Sequence, residues 1–266
     1  MPESGYYRWR GNKVSSKEQR DIYLTSLIKE IHHSVKGRYG SPRIHSVLQD
    51  KGEQVSRKRV NRLMRENNIH SKVKRRFKIT TDSKHGNLIS PNLLEQDFIA
   101  QTPNQLWVSD ITYIWTSEGW LYLAVTLDLY SRMVVGWHIS SRITRELVIT
   151  AFLKAYWSRK PSADLVHHSD RGSQYSSNDF QKLLTNIGAK QSMSGKGNCY
   201  DNAVAESFFN SIKTELGSNY IFKTKQEAKN AIFEYIESFY NRVRKHSTLN
   251  YCSPMQFEQY STTGVS

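Results

Sequence analysis

The sequence predicts two unlike parts in a chain of 266 residues. An all-α helix-turn-helix region comes first. An α/β (α+β) domain follows, built on a five-stranded mixed sheet flanked by helices. Three observations carry this prediction. The chain exceeds the ~100–200 residues typical of one domain. Its charge is divided: residues 1–90 hold 21 basic and 8 acidic side chains, whereas residues 91–266 hold 17 and 16. At Gln105 the hydrophobic period changes from helical to strand-like.

Composition narrows the function classes. A hydrophobic share of 38% excludes a disordered chain and is enough for a sizeable core. The net charge is +14 and the pI near 9.7. A basic front beside a near-neutral remainder points to a polyanion-binding module joined to a second activity. No apolar run approaches ~18 residues, so no membrane-spanning helix is expected. The first residues lack an apolar signal core, so a reducing cytoplasm is the expected compartment. Two cysteines, Cys199 and Cys252, are too few for a disulfide framework or a four-thiolate zinc site.

Residues 1–78 read as the basic helical region. Ser16-Lys-Glu-Gln19 has capping-box spacing, with Ile22, Leu27, Ile31 and Val35 following at roughly helical period. Ser41-Pro42 offers an N-cap and an N1 proline for a second helix containing Ile44, Val47 and Leu48, which Gly52 ends. Ser56 caps a third helix with Val60, Leu63 and Met64 on its core face. A tight turn between the last two gives a helix-turn-helix outline. The outer face of the third helix carries Arg57, Lys58, Arg59, Asn61, Arg62 and Arg65, and Lys74, Arg75 and Arg76 follow. Clustered charge of one sign on a helix in this position is the footprint of a surface that tracks DNA phosphates.

Residues 79–104 are polar and rich in turn formers, and read as a linker. Residues 105–266 then show alternating strands. Leu106 to Trp115 is the first, Leu121 to Leu129 the second, and Met133 to Ile139 the third; short turns make them an antiparallel meander. A helix starts after Thr144, a short strand covers Leu165 to His168, and a helix starts near Ser177. A fifth strand spans Ala189 to Ser192. A glycine-rich loop leads to a helix near Asn202, and the capping box Thr224-Lys-Gln-Glu227 opens a C-terminal one. The order βββαβαβα is that of an RNase H-like fold.

Three acids occupy special places. Asp110 lies inside a strong strand pattern, where it costs stability unless compensated. Asp170 ends the buried fourth strand, and Glu206 lies in the helix after the glycine-rich loop. Carboxylates from these places can converge at one sheet edge. Such oxygen ligands suit Mg²⁺ or Mn²⁺, and two such ions can drive phosphoryl transfer.

The motifs Trp107-Val-Ser-Asp-Ile-Thr-Tyr-Ile114, His168-Ser-Asp-Arg-Gly-Ser-Gln-Tyr175 and Ser194-Gly-Lys-Gly-Asn-Cys-Tyr-Asp-Asn-Ala-Val-Ala-Glu-Ser-Phe-Phe209 lie in this part. The tail adds Tyr240-Asn-Arg-Val-Arg-Lys-His-Ser-Thr-Leu-Asn-Tyr-Cys-Ser-Pro254. With these motifs the chain resembles the transposases of bacterial insertion sequences that have a DDE, retroviral-integrase-like core. More narrowly, it resembles the second-reading-frame (OrfB) product of the IS-three family, over nearly its whole length. The spacing of 35 residues between Asp170 and Glu206 agrees. The resemblance implies Asp110, Asp170 and Glu206 as a catalytic triad holding two Mg²⁺ or Mn²⁺ ions when DNA is bound. It implies 3′-end cleavage and strand transfer of an insertion element. The implied partners are double-stranded DNA (the terminal inverted repeats and target DNA), a further copy of the chain in a dimer or higher assembly, and the first-reading-frame product. In the family, frameshifting fuses the two frames, so this chain is expected to form the catalytic portion of a longer protein in the bacterial cytoplasm.

Lys213, seven residues beyond Glu206 on the same helical face, is the expected phosphate contact in the catalytic domain. Arg242, Arg244 and Lys245 in the tail are expected to track phosphate as well. Glu215 falls half a turn off the Glu206 face and is expected in solvent. Asp128 reads as a turn former, and His167 and His168, pointing to opposite faces, are not expected as ligands. Retroviral integrases carry a His/Cys zinc module, but His32-His33 has no upstream cysteine, so no zinc is expected. Two rivals differ in class: an RNase H-like nuclease that never joins, and a non-catalytic helix-turn-helix DNA-binding protein.

Overall fold

A computed structural model describes residues 15–72, 89–94, 99–195, 203–217 and 221–263. The chain divides into two compact units, Met1–Val73 and Lys74–Ser266.

The first unit is three helices: α1 (Ser16–Ser34), α2 (Ser41–Asp50) and α3 (Arg57–Glu66). Leu24, Ile28, Ile31 and Val35 form the buried face of α1 and its end, while Ile22, expected inside, is exposed. The burial spacing of four, three and four residues follows the helical repeat more closely than the expected set. Ser15, not Ser16, caps α1, its Oγ accepting from Glu18 N at 3.2 Å. Gly40 rather than Ser41 is the N-cap of α2, with Pro42 in its first turn. Ser56 caps α3 as expected, accepting from Arg59 N. Ile44, Leu48, Val60, Leu63 and Met64 complete the core.

The second unit is built on β1 (Leu106–Thr116), β2 (Gly119–Asp128), β3 (Val134–Ser140), β4 (Val166–Ser169) and β5 (Lys190–Met193). Their spatial order is β3-β2-β1-β4-β5. β1 to β3 form the expected antiparallel meander, and β4 and β5 add in parallel on the other side of β1. The helices are α4 (Arg145–Arg159), α5 (Asn178–Asn186), α6 (Ala203–Gly217), α7 (Lys225–Phe233) and α8 (Pro254–Thr263). The mixed five-stranded sheet flanked by helices is the architecture the sequence predicts.

Alternation along β1 divides the sheet into two faces. Trp107 points into a core with Ala124, Phe152, Phe180 and Leu184, under α4 and α5. On the other face Ile114 packs with Leu121, Phe222 and Ala228. Residues 89–94, in the compositional linker, lie along β5: Met193 N donates to Pro91 O at 3.2 Å, and Leu93 N to Ser192 Oγ at 2.9 Å. This segment occupies a strand edge that would otherwise present unpaired backbone groups.

The helix opened by Thr224 continues past α7 as a π-helix, Glu234–Tyr240. Its buried residues are Tyr235, Ile236, Phe239 and Tyr240. Asp128 is fully buried at the end of β2 and accepts from Asn104 N at 2.7 Å and Tyr130 N at 2.9 Å, the turn role expected of it.

Candidate active site and nucleic-acid interface

The β1–β4 ladder runs from Leu106–Val166 to Ser109–Ser169 and then stops. The next residues on the two strands are Asp110 and Asp170. Parallel pairing therefore delivers two carboxylates side by side where β4 ends and β1 goes on with only β2 beside it. Asp110 Oδ1 accepts from Ile111 N at 2.7 Å. Asp170 Oδ1 accepts from Gly172 N at 2.9 Å. A Cβ on Gly172 would stand 2.9 Å from that same oxygen, so the loop after Asp170 needs glycine for close approach. The base of this loop is pinned by buried His168, whose ring nitrogens meet Ser192 Oγ at 2.8 Å and Ser194 Oγ at 3.2 Å.

Glu206 lies in the first turn of α6, on its exposed side, with Lys213 two turns on. Burial pushes the Asp110 carboxyl well above the usual carboxylate range; Asp170 and Glu206 push the same way, and Lys213 opposes them. Burial also raises Glu206. Burial brings Lys213 down to about 8, against the pull of Asp110. Mutual influence thus joins all four side chains. No three His, Cys, Asp or Glu side chains among the described residues are close enough to enclose an ion. The Asp110–Asp170 pair is assembled, and Glu206 stands farther out.

Two expectations about charged residues are overturned. Glu215, expected in solvent, is 5% exposed, and Arg244, expected on phosphate, is 4% exposed. Arg244 Nη2 donates to Glu215 Oε1 at 2.8 Å and to Ser211 Oγ at 3.2 Å, while Nε lies 3.0 Å from both Glu215 oxygens. Tyr235 Oη donates to Glu215 Oε2 at 2.9 Å. Burial opposes the Arg244 charge, yet Tyr235 and Glu215 hold its pKa above the ordinary value. Removing one partner of such a pair strands the other charge and costs about 3–5 kcal/mol. The tail therefore clasps the helix that carries Glu206. Lys245 Nζ donates to Tyr251 O at 3.0 Å, and Arg242 is exposed.

In the first unit Arg57, Lys58, Asn61, Arg62 and Arg65 are exposed on α3. Arg59 and Arg62 both bond Asp21 of α1 at 2.7 Å, and Arg62 also reaches Glu66 at 2.8 Å. The Arg62 hydrogen bond leads in holding the Asp21 carboxyl below its ordinary value, with Arg59 adding to it. These two arginines serve helix packing, which leaves Arg57, Lys58, Asn61 and Arg65 as the outward set. Lys74, Arg75 and Arg76 lie outside the described residues, as do Cys199 and Asn202, where the helix was expected to start.

Sequence reasoning missed Gly172 as a neighbour of Asp170, although its motif was visible. It also missed Asp21 as an anchor for α3, for which the sequence holds no signal.

A meander flanked by two parallel strands, with paired aspartates where the central strand outruns its neighbour, defines an integrase-type polynucleotidyl transferase core. Comparison with known proteins agrees. Residues 100–199 and 206–261 match family models described as integrase core domain, and residues 18–77 match an HTH-like domain. The transposase for insertion sequence element IS904 of Lactococcus lactis is 45% identical, over 93% of this chain and 98% of that protein. Transposase InsF for insertion sequence IS3A of Escherichia coli is 42% identical, over 97% of this chain and 90% of that protein. Among solved structures, the HTLV-2 integrase catalytic core domain aligns with a TM-score of 0.46 and 20% identity, over 60% of this chain and 99% of that one.

The chain belongs to the IS-three family of insertion-sequence transposases. Its function is DNA transposition, and its HTH-like and integrase core domains imply DNA as the partner. Neither the nuclease nor the non-catalytic alternative has support. No helix among the described residues is long and apolar enough to cross a membrane.

Proposed function

We propose that Asp110, Asp170 and Glu206 are the catalytic triad of a 3′-end cleavage and strand-transfer reaction on the ends of an insertion element. The observation that carries this is the β1–β4 register, which sets Asp110 beside Asp170 at an open sheet edge. The donor set is all oxygen, and Asp170 and Glu206 disfavour the charged form of Asp110. Carboxylate oxygens of this kind suit a hard divalent cation, Mg²⁺ or Mn²⁺. When bound, a pair of such ions supplies an activated hydroxyl and stabilises the leaving oxygen. Asp110 and Asp170 form the standing half of the site, and Glu206 closes it from α6.

The remaining roles fall to the chain's own cations. Lys213, whose charge already acts on Asp110, meets the phosphate to be cut. Arg57, Lys58, Asn61 and Arg65 hold the duplex through residues 1–78, joined to the core through 79–104, with Arg242 adding a contact in the tail. Joining two double-stranded ends calls for at least two copies of the chain, and fusion to the first-reading-frame product fits the same scheme.

The test uses labelled duplexes carrying the element's terminal repeats, with Mg²⁺ or Mn²⁺. Glu206→Gln is expected to abolish both nicked and joined strands while DNA binding persists. Normal cutting by this variant would overturn the triad.

A further inference from the structure

The β1–β2 hairpin projects past the last β1–β4 pair, and its projecting face carries a row of aromatic rings. Tyr113 pairs across the hairpin with Tyr122, and Trp115 with Trp120. Ring centroids lie 5.4 Å apart for Tyr113–Tyr122, 6.3 Å for Tyr113–Trp120 and 4.8 Å for Trp115–Trp120. Tyr113 is 40% exposed, Trp115 47% and Trp120 49%. Single exposed rings are ordinary on a protein surface, but a contiguous row marks a binding face.

Position and stiffness say what kind of face it is. The row starts three residues beyond Asp110 along β1, on the opposite face of the strand, and the Tyr113 hydroxyl still lies within the field of both Asp170 and Asp110. The hairpin tip is tied down on its far side. Ser117 N donates to Phe222 O at 2.9 Å, and Lys225 N to Glu118 Oε2 at 2.8 Å. Exposed Arg142 follows β3, in which Ser140 pairs with Tyr122. Flat rings with a cation at their margin are the combination that binds single-stranded nucleic acid, because every base has a π-face and every link a phosphate.

We propose that Tyr113, Trp115 and Trp120 form a stacking platform for unpaired nucleobases at the DNA end, with Arg142 meeting the adjoining phosphate. This rests on the proposed triad, since the rings lie just past Asp110 along β1, on the opposite face, where a strand leaving the acids rounds the end of the β4 edge. A strand drawn to the sheet edge leaves its duplex partner, and the rings replace the stacking it loses.

The experiment measures binding of the full chain, without divalent cation, to a dye-labelled oligothymidine of about 12 nucleotides and to a blunt duplex. Tyr113→Ala/Trp120→Ala is expected to weaken single-strand binding by about tenfold or more, with duplex binding little changed. Tyr113→Phe/Trp120→Phe keeps the rings and is expected to restore single-strand binding. Equal single-strand binding by the alanine variant, or equal loss on both DNAs, overturns the proposal. So does loss of a dimer in sedimentation with single-strand binding intact, which would make a second copy of the chain the occupant. Loss of cutting and strand transfer in Glu206→Gln tests the triad separately. If the platform acts in cutting, ends with mismatched terminal pairs rescue the alanine variant; if they leave it impaired, the platform does not serve the cut end.

Discussion

His167 sits on β4 with its ring 5.2 Å from Phe152, 5.2 Å from Phe180 and 6.1 Å from Tyr175, and its Nε2 lies 2.8 Å from Ser109 Oγ. Burial brings it down to about 3. In the unfolded chain the imidazole takes a proton near pH 6.5, whereas in the core it stays neutral. Unfolding therefore takes up a proton between about pH 6.5 and 3, and folded stability falls as pH drops through that window. At pH 4.5 the cost is about 2–3 kcal/mol. Denaturant unfolding at pH 7 and pH 4.5 checks this: His167→Gln is expected to lose less stability on acidification than the unaltered chain, by about that amount. Residues of this scale were unequally legible in sequence. Asp110 stood out because a carboxylate interrupts an apolar strand. Glu215 and Arg244 did not, because a charge that finds its partner 29 residues away looks, in sequence, like a charge in water.

Gly136 on β3 shows how an element is seated. A Cβ there would lie 2.7 Å from Ala155 N and Ala155 Cβ, and would also meet Ala151 O. Small residues on α4 and the bare glycine let helix and sheet approach closely. Gly136→Ala is expected to lower stability by about 1–3 kcal/mol, since the obstacle is helix backbone that cannot swing aside; thermal unfolding of the variant measures it. Element types were readable because alternation in β1 and β2, Ser56 before α3 and Thr224 before α7 each carry a local signal. The π-helix at Glu234–Tyr240 was not, because its buried positions 235, 236, 239 and 240 also fit an ordinary helical repeat. The place of residues 89–94 along β5 was equally silent, since a backbone contact such as Pro91 O with Met193 N depends little on side-chain identity.

Over the whole molecule, residues 1–90 carry nearly all of the net charge. Affinity for duplex DNA should then fall steeply with salt, each phosphate contact contributing ~0.9 to the slope of log affinity against log salt. Arg57→Ala/Lys58→Ala is expected to reduce that slope by about 2, whereas Glu206→Gln leaves it unchanged. Titrations at several salt concentrations read both, and an unchanged slope in the first variant would remove α3 from the interface. The fold class was legible at this scale because the charge division and the change of hydrophobic period fall in the same order as the two units.

The clasp between Glu215 and Arg244 bears on how the protein is made. Synthesis runs from the N-terminus, so Asp110, Asp170 and Glu206 all leave the ribosome before the guanidinium that neutralises Glu215. Until Arg244 arrives, burying the Glu215 carboxylate of α6 carries a desolvation cost that no cation offsets. A chain broken off early is left in that state. The contact between α6 and the tail is therefore among the last of this unit to form as the chain is made.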